Sequence, residues 1–303
     1  MALPSDTFTG TDLASYIPSV WGEQINDFFK KRQVFASFFT DRSDELVGGG
    51  NTLVTPGLTE MTAYAKNNAT AVTLNSPTET SIQLVVDQWY EVSFVIEDMQ
   101  AAQVKQSYSI MSRYASNAGY TIAQKLETAI AALFSGFTGN AAVGASDAAL
   151  ADSDIRNAIA TLETQSIPGL YDGDVALFVH PNTFWKRIQG IDKFALAINT
   201  AGDNNPLNEP KYRVYGIPVY ITENVPNVSG ASGRYNILAH KDSIHFATAS
   251  LGLMSNGGMV GSSGVRVQSN YLPEYLGTLT TVDILYGVIE NRDAAAVQVL
   301  DLA

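Results

Sequence analysis

Residues 82–96 alternate in character. Ile82, Leu84, Val86, Tyr90, Val92, Phe94 and Ile96 stand at even positions, interrupted only by Gln88, while Ser81, Gln83, Asp87, Glu91 and Ser93 face the other way. A period of two is the mark of a strand with one covered face. About fifteen residues of strand span roughly 50 Å, against a usual length of about five or six, so such a strand overruns a compact domain. Residues 51–64 can supply an antiparallel partner, and the polar stretch from Lys66-Asn67-Asn68 to Asn75-Ser76-Pro77 reads as the tip that joins them. The expectation is a long two-stranded arm. A lone hairpin is marginal in water, so something else must cover it.

From Glu97 to Phe134 the period becomes 3.6, with Val104, Tyr108, Met111, Ala115, Ala118, Ile122, Leu126, Ala129 and Leu133 three or four residues apart. This predicts one long helix of roughly 57 Å, in which Gly119 is a candidate kink. Its outer face carries few charges, chiefly Lys105, Arg113, Lys125 and Glu127, so cover is expected on more than one side. A compact chain of this length would have a radius of gyration of about 19 Å, and helix plus arm predict a flat, elongated subunit instead.

Upstream of the arm, Gly48-Gly49-Gly50 reads as a hinge. Residues 12–35 show helical spacing broken at Pro18, and the aromatic residues Trp21, Phe28, Phe29, Phe35, Phe38 and Phe39 suit either an ordinary core or docking onto another subunit. Lys30-Lys31-Arg32 suits a solvated helix end or a contact to an acidic neighbour. Downstream, helix and strand alternate. Asp152-Ser153-Asp154 can cap a helix bearing Ile155, Ala158, Ile159 and Leu162, stopped by Pro168. Val175–Val179 reads as a buried strand, followed by His180-Pro181-Asn182 and a short helix through Trp185 and Ile188. Tyr215–Tyr220, Tyr235–Ala239 and much of Val265–Ala303 read as further strands.

The chemistry is sparse. There is no cysteine, hence no disulfide, thiolate nucleophile or cysteine zinc site. Phosphate-loop, dinucleotide, nucleophile-elbow and HExxH signatures are missing. His240 and His245, five apart, are expected on opposite faces of a strand, which disfavours a metal site. His180, ahead of a proline, reads as a cap, and Asp172-Gly173-Asp174 lacks the glutamate of a calcium loop, since position twelve is Thr183. No cofactor is expected. With 18 Lys and Arg against 30 Asp and Glu the net charge is −12, which disfavours a nucleic-acid reader, and only 16% of residues are charged, which points to covered surface. No apolar run is long enough to span a membrane and no export signal opens the chain, so the expectation is a chain that is cytosolic when made.

The order of parts is N-terminal arm, long hairpin, long spine helix, α/β domain and returning strands. In that order, the run Ile155–Gln165, the segment Leu177-Phe178-Val179-His180-Pro181, the strand Gly216-Ile217-Pro218-Val219-Tyr220 with Asn224-Val225-Pro226, the segment Leu238-Ala239-His240-Lys241-Asp242-Ser243-Ile244 and Leu285-Tyr286-Gly287-Val288 resemble the major capsid protein of tailed bacteriophages. That fold is shared with encapsulins and the floor of herpesvirus capsids. The resemblance spans nearly the whole chain and implies an α+β phage major-capsid fold. It divides into an N-terminal arm (1–47), an extended hairpin loop and strand (48–97), a peripheral-domain spine helix and loop (98–145), an axial domain (146–264) and returning strands (265–303).

What the resemblance implies is a structural role with no catalysis. Hexamers and pentamers of the chain would tile an icosahedral shell around double-stranded DNA, held without sequence-specific binding, and the protein would reside in the virion. Scaffolding, portal and possible decoration proteins would be the partners. Because the arm begins within the first dozen residues, a separate scaffolding protein is expected. The hairpin would lie over a neighbouring subunit, so Trp21, Phe28, Phe29, Lys66, Asn67, Asn68, Ile82, Leu84 and Val86 are the expected intersubunit contacts. Lysines and asparagines are present for the covalent crosslink some members make, but the sequence identifies no pair. The alternatives are an encapsulin-like nanocompartment shell, a non-capsid virion or surface-layer β protein, and an enzyme.

Overall fold

A computed structural model of the chain describes residues 31, 33–46, 50–58, 61–99, 110–165, 167, 172–191, 212–229, 233–249 and 265–302. Its elements in order are α1 (Phe35–Phe38), β1 (Thr40–Asp41), β2 (Thr52–Leu58), β3 (Glu79–Val85), β4 (Gln88–Glu97), α2 (Ile110–Ala132), β5 (Val143–Gly144), α3 (Asp152–Thr164), β6 (Val175–Val179), α4 (Pro181–Lys186), β7 (Tyr212–Val214), β8 (Ile217–Ile221), β9 (Gly233–His240), β10 (Ile244–Ala249), β11 (Val265–Leu272), β12 (Gly277–Glu290) and β13 (Ala296–Leu302).

Three sheets result. A six-stranded sheet runs β5-β13-β9-β6-β8-β7, a five-stranded sheet gathers β1, β10, β12, β11 and β4, and β2 with β3 forms a separate ladder. The 14-residue β12 organises the second sheet. Along one edge it pairs with β4 from Gly277 to Tyr286; along the other it pairs with β11 from Gly277 to Ile284 and with β10 from Leu285 to Glu290. Strand β10 falls within the 146–264 stretch yet joins this sheet, while β13 returns to the six-stranded one.

The alternating run is broken. Glu79–Val85 pairs with β2, whereas Gln88–Glu97 pairs with β12, and the chain changes partners at the buried Val86 and exposed Asp87. Alternation reports which face is covered, not which strand supplies the hydrogen bonds, so one periodic run can serve two ladders. The arm's ladder is therefore seven residues per strand, and Glu97, expected to start the helix, still lies in β4 opposite Gly277. The described spine helix runs without interruption through Gly119 from Ile110 to Ala132. Val104, Tyr108, Gly48 and Gly49 lie outside the described residues.

The spine helix sits between the two large sheets. Ala118, Ile122, Leu126, Ile130 and Phe134 share one buried cluster with Phe178, Ile237 and Ala239 of the six-stranded sheet and with Ile244, Phe246, Val282, Ile284 and Tyr286 of the five-stranded one. Phe35 and Phe39 are buried in the same cluster, with Phe35 5.0 Å from the Phe134 ring and 5.4 Å from that of Phe178. Phe38 packs 5.1 Å from Phe178. These three phenylalanines are core, while Trp21, Phe28 and Phe29 lie outside the described residues. The other face of the six-stranded sheet carries α3 and α4, whose Ile155, Ala158, Ile159, Leu162 and Phe184 pack against Leu177, Val219, Leu238, Val297 and Val299.

Local sequence explains several boundaries. His180 caps α4, its Nδ1 accepting from the Asn182 amide at 3.2 Å, with Pro181 pre-set for the first turn. Asp154 accepts the Ala151 amide at the start of α3. Tyr215 and Gly216, expected within a strand, instead form the tight turn between β7 and β8 with φ of 52° and 84°.

Candidate functional site

Among the described residues, the arm presents the longest continuously exposed stretch, residues 61–81. Its base is locked. Leu84 and Val86 are buried with Leu46 and Ala247, and Leu53, Ala249, Leu285 and Ile289 pack around them. The Val86 amide donates to the Asn51 carbonyl at 2.8 Å. At Gly287 the arm crosses β12 so closely that a β-carbon there would lie 2.1 Å from the Val85 carbonyl oxygen. Gly50, at φ 119°, takes a backbone conformation that side-chain-bearing residues rarely adopt, just where the chain turns into β2. Arg42 adds a polar tie: its guanidinium forks onto Glu45 and donates to Thr55 Oγ1 at 3.2 Å. The Glu45 hydrogen bond raises the Arg42 pKa, and the same bond lowers that of Glu45.

The tip is closed but bare. Asn75 donates to the Thr62 carbonyl at 2.9 Å and accepts the Thr62 amide at 3.2 Å, joining the two limbs. Lys66 donates to the carbonyls of Asn67 and Thr70, and Thr70 Oγ1 donates to the Asn67 carbonyl, around a turn with Ala69 at φ 60°. Every residue from 61 to 81 is exposed, Met61, Tyr64, Val72 and Leu74 among them, Leu74 at 84%. Four large apolar side chains stand in water along this narrow arm.

Next to the arm, β4 offers an equally bare face. Trp89 is 63% exposed, yet its indole N–H donates to Asp283 Oδ2 at 3.0 Å. Arg266 grips the same carboxylate through Nε at 2.9 Å and one terminal nitrogen at 2.7 Å. Asp283 is buried beneath them, and its hydrogen bond raises the Arg266 pKa. The triad fixes the orientation of a large exposed ring, the usual preparation of an interface anchor.

The expected contact residues divide accordingly. Lys66, Asn67 and Asn68 are exposed at the tip and Ile82 is half-buried on β3. Leu84 and Val86, by contrast, are consumed inside their own subunit, because the base of the arm packs on Leu46 and Ala247 of the same chain. Trp89 was missed: it stands on the odd, nominally polar face, and only the pairing with β12 brings Asp283 beneath it. Glu127, read as an outer-face charge, is buried and accepts the amides of Val34, Phe35 and Ala36 at 3.1, 3.1 and 2.9 Å. The helix angle held that signal, since at about 100° per residue position 127 projects between Phe134 and Ala131.

The histidines take structural places. His240 and His245 do not fall on opposite faces of one strand; a short turn separates β9 from β10, and both line one cleft with Thr40, Arg42, Asp242 and Arg292. Burial lowers the pKa of both. Asp174 pairs with Lys241 at 3.0 Å. Among the described residues no group of three or more His, Asp or Glu is placed to hold a metal ion, and no helix is long and apolar enough to cross a membrane.

Comparison with known proteins follows this geometry. A family model described as phage capsid protein matches residues 79–299. Among curated proteins, no match is found. Among solved structures, one from Mycobacterium phage Che8 superposes with a TM-score of 0.71 at 16% identity, covering 94% of this chain and 97% of that one. The capsid of cyanophage P-SCSP1u gives 0.70 at 15% identity, covering 98% and 96%. The mature capsid of bacteriophage PhiM1 gives 0.70 at 12%, covering 93% and 91%. At such identities these likenesses establish the fold, and the family model favours a phage shell over a nanocompartment.

Proposed function

The chain belongs to the phage capsid protein family, and from that premise we propose how it builds a shell. It is a structural, non-enzymatic component of the virion that acts as a homo-oligomer. In the proposed arrangement hexamers and pentamers tile an icosahedral shell around double-stranded DNA. The arm of each subunit lies over its neighbour, and Lys66, Asn67, Asn68 and Ile82 make contacts there. Trp21, Phe28 and Phe29 are proposed as further contacts of the N-terminal arm, within the division 1–47, 48–97, 98–145, 146–264 and 265–303. Assembly is proposed to take place in the host cytoplasm with separate scaffolding and portal proteins, and with a decoration protein as a possible addition.

One observation supports this reading above others: the arm's base is buried in its own subunit while its tip exposes Met61, Tyr64, Val72 and Leu74. An uncovered projection that bears exposed apolar side chains is stabilised by a second surface. The net charge of −12 is compatible with a DNA-filled interior, because a strongly basic wall would bind the incoming genome through counterion release. Coexpression with the cognate scaffold should give closed shells by negative-stain microscopy. A monodisperse monomer under those conditions would sink the proposal.

A further inference from the structure

A three-residue turn at Asp293–Ala295 follows β12 and leads into β13, so the chain crosses there from the five-stranded to the six-stranded sheet. Two carboxyl groups stand at this crossing: Glu290, the last residue of β12, and Asp293, the first of the turn. Both press on one loop that follows the spine helix. A β-carbon on Gly136 would lie 2.8 Å from Glu290 Oε2, and one on Gly139 would lie 2.8 Å from Asp293 Oδ2. Asp293 Oδ1 is buried without a hydrogen-bond donor.

Among the described residues, the loop and the paired strand supply no counter-charge. The loop from Leu133 to Asn140 carries no charged side chain, and across the ladder Glu290 faces Ile244. Arg292 lies between the two carboxyls in sequence, but it lines the cleft shared with His240, Asp242 and His245. The other bonds at the crossing do not titrate. Asn140 donates to the carbonyls of Ala294 and Ala296, and the Ser243 carbonyl accepts the amides of Asn291 and Arg292.

We propose that the proton on Glu290 holds the crossing closed against the 136–139 loop, and that its loss makes the joint between the two sheets loosen as pH rises. The step is a simple dissociation: the acid form of Glu290 donates one hydrogen bond towards the Asp293 carboxylate, and releasing its proton to water leaves two carboxylates packed on the same loop. Burial, then the Asp293 hydrogen bond and charge, push the Glu290 pKa up to about 7. A folded-state value above the unfolded one means that this contribution is fully present below about pH 4.5 and is lost as pH rises through about 7.

Hydrogen exchange on the full-length protein between pH 5.5 and 8.5, corrected for the intrinsic rate, tests this. Peptides covering 133–140 and 290–297 should exchange roughly tenfold faster at the upper end, equivalent to about one pKa unit after discounting for solvent screening. Glu290→Gln, which stays neutral and can still donate to Asp293, should keep both peptides protected throughout. Asp293→Asn, which removes the repulsion, should shift any remaining transition to lower pH. Exchange of the wild-type peptides that is independent of pH would overturn the proposal whether or not either variant folds. So would an unaltered transition in Glu290→Gln.

Discussion

Glu127 does more than its helix position suggests. Its carboxylate takes three consecutive amides at the start of α1 and so fastens the segment bearing Phe35, Phe38 and Phe39 to the spine helix. Replacing it by alanine leaves buried donors without acceptors, and each such group costs about 1–3 kcal/mol. Glu127→Ala should therefore lower stability by about 3 kcal/mol in urea unfolding, while Glu127→Gln, which keeps one acceptor oxygen, should lose less. Equal losses from the two variants would show that packing, and not acceptance, is what the residue supplies. Asp283 follows the same logic on the other side of the β4–β12 ladder, where Arg266 and Trp89 satisfy a buried charge that would otherwise be costly.

Among the elements, the arm joins a fixed base to a bare tip. The close crossing of Gly287 over Val85 is what allows β3 to leave the sheet while β4 stays in it. A branched side chain at 287 must push that backbone aside, and overpacking of this kind costs about 1–3 kcal/mol. Gly287→Val should leave the two large sheets folded but speed amide exchange at residues 84–86 by roughly thirtyfold, equivalent to about 2 kcal/mol of local protection. Unchanged exchange there would mean that the hydrophobic contacts of Leu84 and Val86 alone set the arm. The helix runs unbroken through Gly119, where an added β-carbon would meet nothing within 4 Å.

At the scale of the molecule, the described part of the spine helix is 23 residues long. At 1.5 Å per residue it runs about 35 Å and fits inside a compact body. Among the described residues, elongation therefore rests on the arm, whose two strands form their own ladder and whose tip is exposed throughout. Small-angle scattering on the unassembled subunit should give a radius of gyration above about 23 Å, where a compact chain would give about 19 Å. A value near the lower figure would place the arm against its own body, and the case for docking on a neighbour would lose its physical basis.

Periodicity carried most of the elements. The two-residue period of 82–96, the helical period through residue 133 and the short apolar runs at 175–179 and 235–239 are properties of local covalent geometry, so they survive without knowledge of the fold. Pairing is different. That residues 79–85 and 88–97 belong to two ladders, that β10 and β13 exchange sheets, and that His240 and His245 face one cleft depend on which strands meet, and hydrogen-bonding edges leave no trace in side-chain character. The acids escaped for the same reason. Buried Glu127 and Asp283 and half-buried Glu290 and Asp293 look like ordinary surface acids in sequence, because the amides, the guanidinium and the loop that define their environments come from segments brought beside them only by the tertiary fold.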